Sequence, residues 1–218
     1  FCSTCSQNFT GALEIEMDRR RWRRLRDAPT SGVKRDALTG LARTLLELEE
    51  FDAADRLYEG ARRDEASHRH DPCYRRVAVQ SEISRAGALV NTRRPRDALE
   101  VLTQIRPWME EPGVDADNRA SYHKTMSSAL ATPGRVRDAL PFATNAVALS
   151  THHSGPHSRQ TLDARYVQAQ ILTRLGRIEE AKATVRDVLA VRTRLLIPSH
   201  EWTRRTQNFL RRIEARTA

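Results

Sequence analysis

Three sets of side chains in this sequence have the types and spacing to do chemistry. Cys2 and Cys5 form a Cys-x-x-Cys pair. Two thiolates at that spacing reach one tetrahedral zinc, but a structural zinc site takes four ligands. The other candidates within the chain are Cys73, His68 and His70, expected on a helix hairpin. The competing reading is a pair of unligated thiols, with Cys2 and Cys5 binding metal only if ligands upstream of Phe1 complete the site. No strand-helix-strand pattern surrounds the pair, which argues against a thioredoxin-like redox role. The second set is Arg19-Arg20-Arg21-Trp22-Arg23-Arg24-Leu25-Arg26, the densest charge on the chain. Its guanidinium groups could grip a phosphate backbone or an acidic partner. Alternatively Trp22 and Leu25 dock on the first repeat, leaving the arginines as the solvated face of a helix; this docked helix is the preferred reading. The third set, His152, His153 and His157, falls at a helix end and a linker, where polar residues are expected. No P-loop, Gly-rich dinucleotide turn, Gly-x-Ser-x-Gly elbow or His-Glu-x-x-His motif is present. The chain reads as a non-enzyme.

The elements that position these residues come in repeats. Leu175-Gly176-Arg177-Ile178-Glu179-Glu180-Ala181 is echoed by Pro133-Gly134-Arg135-Val136-Arg137-Asp138-Ala139. Looser copies are Arg93-Arg94-Pro95-Arg96-Asp97-Ala98 and Glu49-Glu50-Phe51-Asp52-Ala53-Ala54. Aligned on alanines 54, 98, 139 and 181, the spacings are 44, 41 and 42 residues. A period of this size marks a solenoid of helix pairs. In each unit one helix runs to the Gly or its substitute, the chain reverses, and a second helix opens with acidic residues that suit the positive end of its dipole. Twelve residues before each alanine stand Ala42, Ala86, Ser127 and Ala169, all small. Small residues in both registers predict a close helix crossing within every pair.

Composition agrees. A hydrophobic content of 39% suits a thin solenoid better than a compact globule, and the 37 basic against 28 acidic residues give a formal charge of +9. Lys occurs only at 34, 124 and 182, so the basic excess is arginine on solvated helix faces, with nucleic acid as the competing explanation. No apolar run approaches the ~18 residues that span a bilayer, so no membrane partner is expected. Three cysteines do not make a disulfide framework, which favours a reducing, cytoplasmic setting. The chain begins at Phe1 rather than Met and reads as an excerpt of a longer protein.

The repeat unit resembles a tetratricopeptide repeat, and its period of about 42 with a Thr-Leu opening resembles the kinesin-light-chain variety. Gly155-Pro156-His157-Ser158-Arg159-Gln160-Thr161-Leu162 is similar to that variety's Gly-Pro-x-His-Pro-x-Thr-Leu linker, and Ile197-Pro198-Ser199-His200-Glu201-Trp202-Thr203 repeats it. The resemblance covers about 31–215 and puts His200 at a capping position. Cys2-Ser3-Thr4-Cys5 also resembles the closing Cys-Pro-x-Cys pair of a RING-like zinc module, with Ser3 in place of Pro.

These readings divide the chain into a remnant of a zinc module (1–11), a basic helix and linker (12–30), four helix hairpins (31–199) and a C-terminal capping helix (200–218). The expected fold is all-α: an α-solenoid, a right-handed superhelix of tetratricopeptide-like hairpins. The resemblance implies that first helices line a concave groove. Its positions are Asp36, Thr39, Arg43, Leu46 and Glu47; Gln80, Ser84, Gly87 and Asn91; Ser121, Lys124, Thr125 and Ser128; and Tyr166, Val167, Gln170, Thr173 and Arg174. Arg43, Asn91, Lys124, Tyr166, Gln170 and Arg174 are the candidate partner-binding residues. The family's paired asparagines are replaced here by Tyr166 and Val167. The function implied is a non-catalytic scaffold binding an extended or acidic protein segment, with no cofactor. One alternative is the substrate-recognition part of a zinc-dependent ubiquitin-ligase-like protein, with zinc supplied in the full-length chain. Another is a nucleic-acid-binding repeat using Arg19, Arg20, Arg21, Trp22, Arg23 and Arg24.

Overall fold

Leucines at positions 38, 41 and 45 recur every three or four residues and put one apolar stripe along the helix Gly32–Glu47 (α2). In the computed structural model these residues join Ala42, Ala54 and Tyr58 in one buried cluster. The structure describes residues 12–25, 32–47, 50, 52–54, 56–58, 72–111, 114–196 and 200–216. All regular structure among them is helical, with no strand. The helices stack in pairs, a solenoid-like all-α arrangement, and fall into two units divided between Trp108 and Met109.

The first unit holds Ala12–Leu25 (α1), α2, helical backbone at 52–54 and 56–58, Pro72–Asn91 (α3) and Pro95–Ile105 (α4). Pro95 opens α4, where its missing N–H costs nothing. A 3-10 turn, Arg106–Glu110, follows α4 and contains the unit boundary. The second unit holds Ala116–Leu130 (α5), Val136–Ser154 (α6), Arg159–Arg174 (α7), Ile178–Leu195 (α8) and Glu201–Glu214 (α9). Asp115 caps α5 by accepting from the Asn118 N–H at 2.7 Å, and Ser158 caps α7 through the Thr161 N–H at 3.2 Å. His200 caps α9, its Nδ1 accepting from the Trp202 N–H at 3.2 Å. Pro141 lies within α6, and the helix runs through it uninterrupted.

Both small registers are buried. Ala42, Ala86, Ser127 and Ala169, and across from them Ala54, Ala98, Ala139 and Ala181, all have 0% exposure. Ser127 replaces an alanine without leaving its hydroxyl unpaired, because it donates to the Lys124 carbonyl one turn back at 2.7 Å.

The reversal five residues before alanines 98, 139 and 181 also repeats in backbone conformation. Gly134 and Gly176 take φ of 84° and 79°, and Arg93, at the same register, takes 61°. The turns at 93 and 176 close alike: the Arg94 N–H reaches the Leu89 carbonyl at 2.8 Å and the Arg177 N–H reaches Leu172 at 2.9 Å. This six-to-one bond belongs to the Schellman motif and needs a left-handed residue inside it. Each following helix is entered by an Arg–acid pair at one register: Arg94–Asp97, Arg135–Asp138 and Arg177–Glu180, at 2.7, 3.6 and 2.6 Å.

A Cβ built on Gly176 meets nothing within 4 Å, so Gly176→Ala isolates the backbone cost. It should destabilise the fold by about 1–2 kcal/mol in urea unfolding. Arg93→Gly at the equivalent turn should not destabilise, because relief of the left-handed arginine offsets the entropy of glycine.

Candidate functional site

The candidate binding face lies on the first helices of the pairs, and in the second unit these are α5 and α7, which lie against one another. Along them, several polar side chains are already used. The Thr125 hydroxyl donates to the Ser121 carbonyl at 2.9 Å, Ser128 to Lys124 at 3.1 Å and Thr173 to Ala169 at 2.9 Å. Such bonds to the preceding turn satisfy the hydroxyls within their own helix. Arg174 donates from Nη1 to the carbonyl of Ala131, the residue that ends α5. It thereby ties the end of α7 to a helix terminus whose carbonyls lack intrahelical partners. The side chains of Lys124 and Gln170 make no hydrogen bond or ion pair among the described residues, and both residues are half-buried.

Tyr166 departs from its expected role as a groove residue. It is 7% exposed, packed edge to face on Phe209 with ring centroids 5.3 Å apart, within the core shared by α7, α8 and α9. Val167 is half-buried. In the first unit, Asn91 is exposed near the end of α3, and Gln80 bonds to Ser84 at 3.4 Å. Arg43 lies on α2, but its side chain, with those of Asp36, Thr39, Leu46 and Glu47, lies outside the described residues. The six candidate binding residues are thus divided between the units, Arg43 and Asn91 in one and the other four in the second.

The arginine cluster is resolved into two faces of α1. Trp22 packs against the Leu38–Tyr58 cluster. The Thr44 hydroxyl donates to Asp18 at 2.7 Å, fixing α1 on α2 beside Gly40. Arg19, Arg20, Arg21, Arg23 and Arg24 are exposed, and Arg20 and Arg23 reach Glu16 at 2.9 and 3.8 Å. The Arg20 hydrogen bond holds the Glu16 carboxyl below its ordinary value. Trp22 is therefore a docking residue, partly buried on that cluster. Cys2 and Cys5, with the expected zinc-module remnant, lie outside the described residues, as do His68 and His70; Cys73 is on α3 with its side chain likewise outside. Among the described residues no group of three His, Cys, Asp or Glu could hold a metal. His152 and His153 are exposed at the end of α6, His153 lying 3.9 Å from Asp117.

One side chain that periodicity passed over organises the end of the second unit. The apolar pattern turns Val191 inward, but the neighbouring Arg192 is the buried residue, 3% exposed. Its guanidinium donates to Asp163 at 2.5 Å, to the Thr206 hydroxyl at 2.8 Å and to the Trp202 carbonyl at 3.3 Å. Burial lowers the Arg192 pKa, against the opposing pull of Asp163. Arg159 stacks over Trp202 at 4.0 Å, so α7, α8 and α9 meet in one polar and aromatic knot.

Solved structures share this arrangement of stacked helix pairs. The chain is similar to the crystal structure of BtubC (BKLC) from P. vanneervenii, with a TM-score of 0.66, 16% identity, and 92% of this chain and 79% of that one covered. It is also similar to a Podosopora anserina putative kinesin light chain with nearly identical TPR-like repeats, at a TM-score of 0.60 and 19% identity, covering 82% and 84% of the two chains. The fold is a TPR-like helical repeat. At these identities the likeness is one of fold alone. No family description and no curated protein matches the sequence. Among the described residues no helix is long and apolar enough to cross a membrane.

Arg192→Ala should cost about 3 kcal/mol, the scale of breaking a buried pair, and hydrogen exchange should show α9 losing protection before α5. His123, packed on Tyr122 and Phe142 with ring centroids 5.6 Å away in each case, is held by burial below its ordinary value of 6.5. The unfolded chain therefore takes up this proton first, so the contribution is present above that value and is lost as pH falls through it. Urea unfolding from about pH 7.5 to about pH 5 should show a shallower loss of stability in His123→Phe.

Proposed function

We propose that the chain is a non-catalytic protein-interaction scaffold, binding an extended or acidic peptide segment along the first helices of its repeats. The observation that supports this most is the state of Lys124 and Gln170. Their neighbours on α5 and α7 spend their hydroxyls on their own helices, while the side chains of these two make no bond among the described residues. An ammonium group and a carboxamide on adjacent helices offer donors to peptide carbonyls and carboxylates, and the carboxamide oxygen accepts a peptide N–H. Arg174, tied to the Ala131 carbonyl, contributes by holding the two helices in register rather than by facing the ligand. The relatives' putative kinesin light chain and TPR-like repeats are in keeping with such a role.

Peptides selected on this protein from a displayed random library provide the test. Lys124→Glu with Gln170→Ala should weaken the selected peptides by about tenfold or more, the size expected when a binding charge is reversed and a donor removed. The helical circular-dichroism signal should stay unchanged. Equal binding by the double variant would place the ligand elsewhere.

A further inference from the structure

The repeat period continues into α9. Counting 42 residues on from Ala169 gives Arg211, and from Asp163, Tyr166 and Gln170 it gives Arg205, Asn208 and Arg212. Arg211 stands at the register that is small and fully buried in the four preceding pairs, and here it is exposed. The side of α9 that packs is Thr203, Thr206, Phe209 and Ile213, laid over α7 and α8. The other side presents Arg204, Arg205, Asn208, Arg211 and Arg212, on the part of the helix turned from that core.

No carboxylate answers these four arginines among the described residues. Arg211 donates to the Asn208 side chain at 2.8 Å, and Arg212 lies 5.8 Å from the centre of the Phe209 ring. Glu214, the acid nearest Arg211 and Arg212 along the helix, is held by Arg186 at 2.7 Å, and Glu201, one turn before Arg204 and Arg205, forms no ion pair with either among the described residues. Arg205 has a like charge for a neighbour, since it repels the buried Arg192. With like charge across the helix contact and no carboxylate paired to it, this face gains from an anion supplied by another molecule.

We propose that α9 is a binding helix as well as a cover: its arginine face receives the acidic part of an extended protein segment that crosses α5 and α7. This rests on the scaffold reading above. Gln170 and Arg212 share a register on neighbouring helices. Packed helices lie about 8–10 Å apart, which about three residues of extended chain span. Arg205 and Arg212 are two turns apart, about 10.5 Å along the axis, so carboxylates three residues apart suit them too. Guanidinium forks pair with carboxylates two bonds at a time. The exposed face carries no aromatic ring on which a base would stack, as Phe209 is buried and Trp202 lies beneath Arg159, and this favours an acidic protein over a single-stranded nucleic acid.

The test is fluorescence anisotropy of the full chain with labelled oligoglutamate, oligoglutamine and oligothymidylate at about 150 mM salt, where exposed charges are screened beyond ~8 Å. Oligoglutamate should bind best, and Arg205→Glu with Arg212→Glu should weaken it by about tenfold or more at unchanged melting temperature. Oligoglutamate that fails to bind, or that binds the double variant equally well, would overturn the role of α9. So would oligothymidylate binding as tightly as oligoglutamate. Library-selected peptides that need Lys124 and Gln170 but ignore Arg205 and Arg212 would keep the scaffold reading and overturn only this inference.

Discussion

Two helices of a pair can cross closely only where neither has a side chain in the way, and the rest of this protein is arranged around that constraint. Eight positions, four on first helices and four on second, meet it with seven alanines and one serine, all fully buried. A larger residue in such a well-packed crossing costs about 1–3 kcal/mol, so the registers cannot drift. Fixing the crossing fixes the length of the turn, and the turn in turn demands a left-handed residue. Two glycines and one arginine at positions 134, 176 and 93 supply it.

The crossing also decides which sides of the first helices are free. With one side of α7 given to α8 and another to α9, Tyr166 is drawn into the core while Gln170 keeps an accessible edge. At α9 the small register is an exposed arginine, and the helix is held instead by Phe209, Ile213 and the Arg192 knot. Burying Phe209 and Ile213 contributes about 2 kcal/mol apiece. A helix of 14 residues is marginal alone in water, so this attachment is what lets α9 present its arginines.

Much of this was legible in the sequence because it is periodic. The pairs, the small registers, the glycine reversals and the docking of Trp22 follow from residue type and spacing, and the cap at His200 from the resemblance of its linker. What escaped were residues that pattern ranks by polarity rather than by partner. Arg192 reads as solvent-facing because it is charged, yet Asp163, Thr206 and the Trp202 carbonyl, distant in sequence, offset the cost of its burial. Thr44 and Asp18 escaped likewise, since neither alone signals a helix contact. Tyr166 was misplaced because its register was carried over from the family groove without allowing for α9 packed on the same side. The same register, extended by one more period, would have pointed to Arg205, Asn208 and Arg212.

The central claim is that the ligand-reading surface of the second unit runs across α5, α7 and α9. Backbone amide shifts recorded on the isotope-labelled protein, with and without an acidic peptide, test this most directly. The account predicts changes concentrated at 121–128, 163–174 and 204–212, with α8 and the buried side of α6 undisturbed. Shifts confined to α1, or spread evenly over every arginine-bearing helix, would contradict it.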